Sequence, residues 1–527
     1  MAACPLILSS ALEAYLKRPL ESHRWVKALT DAELDEALSR LKPRPRLNPR
    51  LRRHQKACFL LGVSYPQFCF WLDMGVGKSI LSLELLRYWF ESKAITRAII
   101  FVTSDKAFTT WERQFKEFDI DIPVTALAGS SADKWSQLEA FSEGIVLVPY
   151  PGAVAMVCSR VKGKRKVEFK LDKKKVARLA LWANAYVLDE STRAGNHRSL
   201  THKMIAQLKK HAQIRYALAG RPFGRDPTLL WGQSYLIDSG ETLGETLGLF
   251  RAAFFDEKKN HWAASEYVKD YKFRAAMKPQ LARMAEHRSV TYSAGECIDL
   301  PKLVPIREVL KLPEEAQAYY RAAIEDVKAA RGNLREMKNV FLRMRQISSG
   351  FIGLKDDETG ARVSIELLEN PKLERLLELI EDLPEGSKGV VFHDYNYSAK
   401  VISEALTKQK IGWMRLWSGT KDPRKEQKSF SEDPKCEIAI INNRLGAMSI
   451  DGLQMVANYT FFYETPVGVI DREQAERRLF RQGQRKPVMQ YDLVVKGTVD
   501  ERILEYHAEG KDFFDAVLRK PQLLLGG

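Results

Sequence analysis

Residues 72 to 79, Leu-Asp-Met-Gly-Val-Gly-Lys-Ser, constrain this 527-residue chain more than any other segment. Phe68-Cys69-Phe70-Trp71 ahead of them reads as a buried strand, and Ile80 to Phe90 behind them as an apolar helical run. Strand, tight glycine loop and helix in that order aim several backbone N–H groups and a helix N-terminus at one point, where a phosphate chain can sit. In such a loop Met74, Gly75, Val76 and Gly77 form the cradle, Lys78 reaches the outer phosphates and the Ser79 hydroxyl ligates Mg²⁺. Leu72 stands where the usual pattern has its leading glycine, so a glycine-rich turn capping a core helix is the alternative for this segment alone.

A chain of this length divides into roughly three domains. Hydrophobic residues at 45% and aromatic residues at 10% are ordinary for a folded protein and argue against large-scale disorder. The net charge of +16 points to a polyanionic partner, nucleic acid above all. Between Arg160 and Arg178, ten Lys/Arg against two acidic residues supply +8 of that charge. This basic segment can grip DNA or form a charged hairpin facing solvent, and the alternation in Val167-Glu168-Phe169-Lys170-Leu171 fits a hairpin strand either way. The six cysteines are scattered with no C-x-x-C pair, which predicts neither a zinc site nor a disulfide framework and fits a reducing compartment. No run of about 18 apolar residues is present, so no membrane-spanning helix is expected.

The pattern predicts α/β architecture. Residues 1–45 read as a helical extension, with Thr30-Asp31-Ala32-Glu33 spaced as a capping box. Residues 46–240 alternate apolar strands with helices, as a parallel sheet with crossover helices does; strands are predicted at Ala98–Thr103, Ile145–Val148, Ala185–Leu188 and Arg215–Ala219. Residues 241–300 form a less regular aromatic and helical insertion, and 301–385 a helical linker region with helix starts at Pro313 and Asn370-Pro371. A second alternating unit covers 386–505, with strands at Val390–His393, Glu437–Asn442, Tyr459–Tyr463 and Met489–Leu493, and 506–527 is a tail.

Three further segments carry chemistry. Tyr186-Val187-Leu188-Asp189-Glu190 is an apolar strand ending in two carboxylates, where Asp189 suits the metal and Glu190 suits polarisation of an attacking water; an acidic helix cap is the alternative. Gln55, about twenty residues before the loop, carries an amide able to pair with an adenine edge, or is a surface glutamine. Arg478 and Arg481, three apart, share a face if helical and could clamp a γ-phosphate, or lie on a solvated helix.

The order of these motifs resembles superfamily 2 helicases, and specifically the Snf2 family of DNA-dependent ATPases, including short phage and bacterial members. Leu51–Gln55 resembles the adenine-reading motif, Leu72–Ser79 the phosphate loop, Ala98–Ser104 with Trp111 and Phe115 motif Ia, and Val146–Tyr150 motif Ib. Asp189–Thr192 is similar to the DEAH-type box, with Thr192 for histidine. Arg215–Pro222 is similar to motif III, with Ala219 and Arg221 replacing threonines. Val390–Tyr395, Asn442–Gln454 and Gln474–Gln484 resemble motifs IV, V and VI. The resemblance implies two RecA-like parallel-sheet lobes that use ATP and Mg²⁺. Lobe one supplies Gln55, the loop, Asp189 and Glu190, and lobe two supplies Arg478 and Arg481. It also implies sequence-independent contact with the DNA backbone, with Thr103, Ser104 and Lys106 as candidates in lobe one and His393, Tyr395 and Asn443 in lobe two. The expected activity is that of an ATP-dependent DNA translocase or remodelling motor. The alternatives are a true helicase or branch-migration enzyme on forked or four-way DNA, an RNA-polymerase recycling factor, or a non-hydrolysing DNA clamp. A monomer in the cytoplasm of a bacterial or phage-infected cell is expected, since no heptad stretch demands a dimer.

Overall fold

The structure, a computed structural model, describes residues 10–162, 167–220, 226–259, 269–329, 334–355, 362–417, 420, 422–443, 452–509, 513 and 517. Arg221 and Pro222 of the motif III segment, Arg444 to Asp451 of the motif V segment, residues 163–166 of the basic run and most of the tail lie outside the described residues. The chain divides into two units, Met1–Cys297 and Ile298–Gly527.

Unit 1 holds eleven described strands: β1 (Gln67–Leu72), β2 (Arg97–Val102), β3 (Val124–Ala126), β4 (Gly144–Pro149), β5 (Cys158–Lys162), β6 (Val167–Leu171), β7 (Ala185–Leu188), β8 (Ile214–Ala219), β9 (Phe255–Lys259), β10 (Lys269–Phe273) and β11 (Ser289–Tyr292). Seven of them form one sheet in the order β11-β1-β8-β7-β2-β4-β3. Every pairing in it is parallel. β4, β7 and β8 are buried at every position, which is why they read as continuous apolar runs rather than alternating ones: helices cover both faces of the sheet. The four predicted strands appear within one residue of their expected ends. The short strand β3 and the edge strand β11 have no comparable signal, because neither presents a long apolar run.

The stretch 241–300, expected as an insertion, contains the helix Leu247–Phe254, the antiparallel hairpin β9–β10 and the helix Lys278–Ala285. It ends in β11, a strand of the main sheet. The basic run begins as the antiparallel hairpin β5–β6 and continues as the helix Lys173–Trp182, capped by Asp172. In the extension, Thr30 and Glu33 form the capping box that opens the helix Asp31–Ser39.

Unit 2 contains β12 (Leu303–Leu310), β13 (Phe351–Lys355), β14 (Arg362–Glu366), β15 (Gly389–His393), β16 (Gly412–Leu416), β17 (Cys436–Asn442), β18 (Tyr459–Phe462) and β19 (Val488–Val495). Six of these form a second all-parallel sheet, β12-β19-β18-β15-β17-β16. The linker region therefore opens with a strand of that sheet, pairing Leu303–Leu310 with Val488–Val495. Its helices Glu314–Ala329 and Pro371–Glu381 start where Pro313 and Asn370-Pro371 predict, Leu334–Ser348 lies between them in the chain, and the Asn370 side chain accepts from Leu373 N–H.

Candidate active site

In unit 1 the candidate side chains gather at the carboxyl ends of the parallel strands, where an open α/β sheet places its ligand crevice. β1 runs into the phosphate loop and the helix Lys78–Glu91. Gly75 and Gly77 both have left-handed backbones, φ +82° and +85°, a conformation open to glycine at little cost. A Cβ on Gly77 would also lie 2.1 Å from the Gln55 amide nitrogen. Lys78 Nζ donates to the Leu72 carbonyl at 3.0 Å and stands 3.9 Å from Glu190 Oε1. Val76 is buried, and its carbonyl accepts from Gln55 Nε2 at 3.2 Å and meets His54 Nε2 at 2.9 Å. The structure thus places Gln55, expected to read adenine, with its amide bound to the loop backbone and its Oε1 accepting from Arg52 N–H. His54, adjacent to it and unforeseen, is a second brace; burial lowers its pKa and favours the neutral ring.

β7 delivers Asp189 and Glu190 opposite that loop. Asp189 N–H bonds to the Phe101 carbonyl at 3.0 Å, continuing the ladder past the strand end. Glu190 then adopts φ +48°, ψ +57°, a left-handed turn that costs a non-glycine residue on the order of 1–3 kcal/mol and marks a functional position when tertiary structure holds it. Burial first, and the Glu190 charge second, raise the Asp189 pKa to about 6 despite the nearby Lys78 ammonium. Trp111 Nε1 points at Asp189 Oδ2 from 3.4 Å, and Tyr150 Oη donates to the Asp189 carbonyl at 2.9 Å. The motif Ia and Ib segments therefore brace the acidic pair. Behind it, Ser191 Oγ donates to Gln233 Oε1 at 2.6 Å, both side chains buried. Gln233 was not foreseen from sequence; it lies 42 residues from Ser191, and nothing local distinguishes it.

Thr103 and Ser104 are half-buried just past β2, on the same carboxyl edge, and Lys106 is exposed beyond them. Ser79 follows Lys78 in the first turn of its helix. Its hydroxyl and the Asp189 carboxylate are hard oxygen donors of the kind Mg²⁺ takes beside substrate phosphates, so these residues fit that ion. Among the described residues no cluster of three His, Cys, Asp or Glu could hold a metal by itself.

In unit 2 the helix of the arginine segment, Val469–Glu476, stops before Arg478. Arg478 and Arg481 do not share a helical face as expected; they sit on the irregular turn that follows, Arg478 buried and Arg481 half-buried. Arg472 anchors this segment: its guanidinium lies 3.6 Å from the Phe462 ring centroid and pairs with Asp492 and with Glu476. Two of the three residues expected to touch DNA in this unit are core residues. His393 is fully buried, with a pKa lowered to about 4 by burial, and Asn443 Nδ2 donates to Asp394 Oδ1 and the Glu464 carbonyl at 3.0 and 2.9 Å. Tyr395 is half-buried with its hydroxyl turned inward. Asn443 thereby ties together the carboxyl ends of β15, β17 and β18, and the buried His393 ring and inward Tyr395 hydroxyl are not presented to a phosphate backbone.

The profile of the SNF2-related domain matches residues 70–348. The DNA repair protein RAD5 of Cryptococcus neoformans is 27% identical over 187 residues, 33% of this chain and 15% of that protein. The SNF2 domain-containing protein ENL1 of Oryza sativa is 22% identical over 500 residues, 85% of this chain and 49% of that protein. The chain spans half or less of the length of these relatives. The solved Sulfolobus solfataricus SWI2/SNF2 ATPase core in complex with dsDNA is 19% identical, covering 92% of this chain and 94% of that one at a TM-score of 0.38. With more than half of its residues inside the matching profile, and with phosphate loop and acidic pair at the carboxyl edge of one parallel sheet, the chain belongs to the SNF2-related family.

Proposed function

We propose that the chain is a DNA-stimulated ATPase that translocates on duplex DNA. One observation carries the reading: Lys78, Asp189 and Glu190 converge behind a loop whose two glycines are both left-handed. Phosphoryl transfer demands positioned charge more than covalent chemistry from the protein, and this arrangement provides it. Lys78 and the loop N–H groups bind the β- and γ-phosphates. Glu190 holds the attacking water and takes up its proton. Ser79 and Asp189 would hold Mg²⁺, which would supply charge neutralisation at the phosphate oxygens. Arg478 and Arg481 are the candidates for stabilising the charge that spreads over the γ-phosphate oxygens. Thr103, Ser104 and Lys106 contact the DNA backbone. A relative named for DNA repair supports DNA as the polymer.

Phosphate release measured with and without plasmid DNA tests the reading. DNA should raise the wild-type rate at least about tenfold, while Lys78→Ala and Glu190→Gln remain at background. Equal rates in all samples would leave only a DNA-binding clamp. Third-strand displacement from a plain duplex, compared with opening of a synthetic fork, then separates translocation from unwinding; opening without displacement would favour a helicase.

A further inference from the structure

The N-terminal extension and the exit from unit 1 meet in a way that nucleotide chemistry alone does not require. β11 runs along β1 with Leu72 opposite Tyr292, so it ends level with the start of the phosphate loop. There Asp73 N–H donates to the Tyr292 carbonyl at 3.0 Å, and Asp73 Oδ2 accepts from Ala294 N–H at 2.9 Å. The first residue of the loop thus grips, on both sides of Ser293, a segment 221 positions away in the chain. Ser293 and Glu296 close the next turn, with Ser293 N–H and Oγ donating to Glu296 Oε2 at 2.7 and 2.9 Å. Immediately afterwards, at Ile298, the polypeptide passes into unit 2.

Segment 21–29 of the extension braces the same exit from the outside. Lys27 Nζ pairs with Glu296 Oε1 at 2.8 Å and lies 4.4 Å from the Tyr292 ring centroid. His23 Nε2 meets the His287 carbonyl at 2.8 Å, Ser22 Oγ donates to Glu286 at 2.8 Å, and Arg24 pairs with that same carboxylate. Arg53, on the helix that carries Gln55, donates to the Lys27 and Leu29 carbonyls. Partial burial works to raise the Glu296 pKa, but hydrogen bonds from Lys27 and Ser293 outweigh it and bring it to about 2. Glu296 is therefore ionised under all working conditions and its pair with Lys27 persists.

We propose that Tyr292–Cys297 is a clamped exit held jointly by the phosphate loop and segment 21–29, and that Asp73 is a positioning residue through which nucleotide binding at the loop tightens the exit into unit 2. The inference rests on reading the loop as an ATP site. Asp73 joins β1 to that loop, so any rotation of its peptide when phosphates bind shifts both bonds to the exit. Each net hydrogen bond biases such an equilibrium by roughly two- to tenfold.

Hydrogen–deuterium exchange on the full chain, with and without Mg²⁺ and the slowly hydrolysed analogue ATPγS, reads this coupling without relying on turnover. In the wild type, peptides covering 72–79 and 289–297 should both slow when nucleotide is added. In Asp73→Ala the loop should still slow while 289–297 no longer responds. Asp73→Asn, whose amide oxygen can still accept from Ala294 N–H, should keep both responses. Without nucleotide, Lys27→Glu should raise exchange of 289–297 by about two- to fivefold, as suits a half-exposed pair, and Glu296→Lys, which also removes the acceptor of Ser293 N–H, should raise it further. A wild-type loop that slows without 289–297 following would overturn the coupling and leave the ATP site standing. So would an Asp73→Ala protein that responds as wild type does, or an Asp73→Asn protein that fails alongside it. No slowing at 72–79 would overturn the ATP site and the coupling together.

Discussion

Asp189 shows how a single carboxylate reports on its site. Burial and the neighbouring Glu190 hold its pKa up at about 6, so the folded protein binds this proton more tightly than the unfolded chain does. Its contribution to stability is then full below about pH 4 and is lost as pH rises through about 6. Replacing Asp189 by Asn should raise stability at pH 7.5 by on the order of 1–2 kcal/mol in thermal melts while abolishing ATP hydrolysis. In the wild type, kcat/KM for ATP should fall about tenfold per pH unit below about pH 6, because the protonated acid cannot ligate a cation. An acid limb unchanged in position when Trp111 is replaced by Phe would argue that its hydrogen bond to Asp189 is idle. Gly77 makes the same point sterically. Gly77→Ala meets both a left-handed backbone and the Gln55 amide, and ATP binding followed by calorimetry should weaken by at least about tenfold.

At the level of elements, the helix Thr228–Asp238 supports the turn after the acidic pair through one backbone contact and one side-chain bond. A Cβ on Gly232 would lie 1.9 Å from the Gly195 carbonyl oxygen, and one on Gly195 would lie 2.8 Å from the Leu229 carbonyl oxygen. Backbone cannot yield as a side-chain tip can, so Gly232→Ala should cost about 3 kcal/mol or more in chemical denaturation. Gln233→Ala leaves the Ser191 hydroxyl buried without its acceptor, and a loss of about 1–3 kcal/mol is expected, accompanied by a fall in kcat larger than any change in KM for ATP. Equal effects on stability with normal kcat would make Gln233 a packing residue only.

For the whole molecule, charge and the two arginines set the expectations. A chain of net charge +16 should bind DNA mainly by neutralising phosphates, so its affinity for duplexes of unrelated sequence should agree within a few-fold. Between 50 and 200 mM salt that affinity should fall by about 10³-fold if some six phosphates are contacted, measured by fluorescence anisotropy. With transition-state charge as their proposed target, Arg478→Ala and Arg481→Ala should each reduce hydrolysis by about 10²-fold or more while leaving ATP affinity within about threefold. Affinity lost in step with rate would place them on the ground state instead.

The inner strands of both parallel sheets, the capped helices and the acidic pair were legible in the chain, because apolar runs bounded by Gly, Pro and Asn, and motifs tied to loop geometry, are local properties. The short strand β3 and the edge strands β11, β12 and β16 were not, since pairing with a distant neighbour rather than their own composition makes them strands. The same distinction runs through the site. Sequence alone singled out Lys78, Asp189 and Glu190 as candidates for handling phosphate. Only tertiary structure decided that Gln55 lies against the loop, that His393 and Asn443 face inward, and that Asp73 holds Tyr292 and Ala294. Burial and hydrogen bonds between residues from 21 to 221 positions apart leave no periodicity to read; they exist only once the sheet has brought its strand ends together.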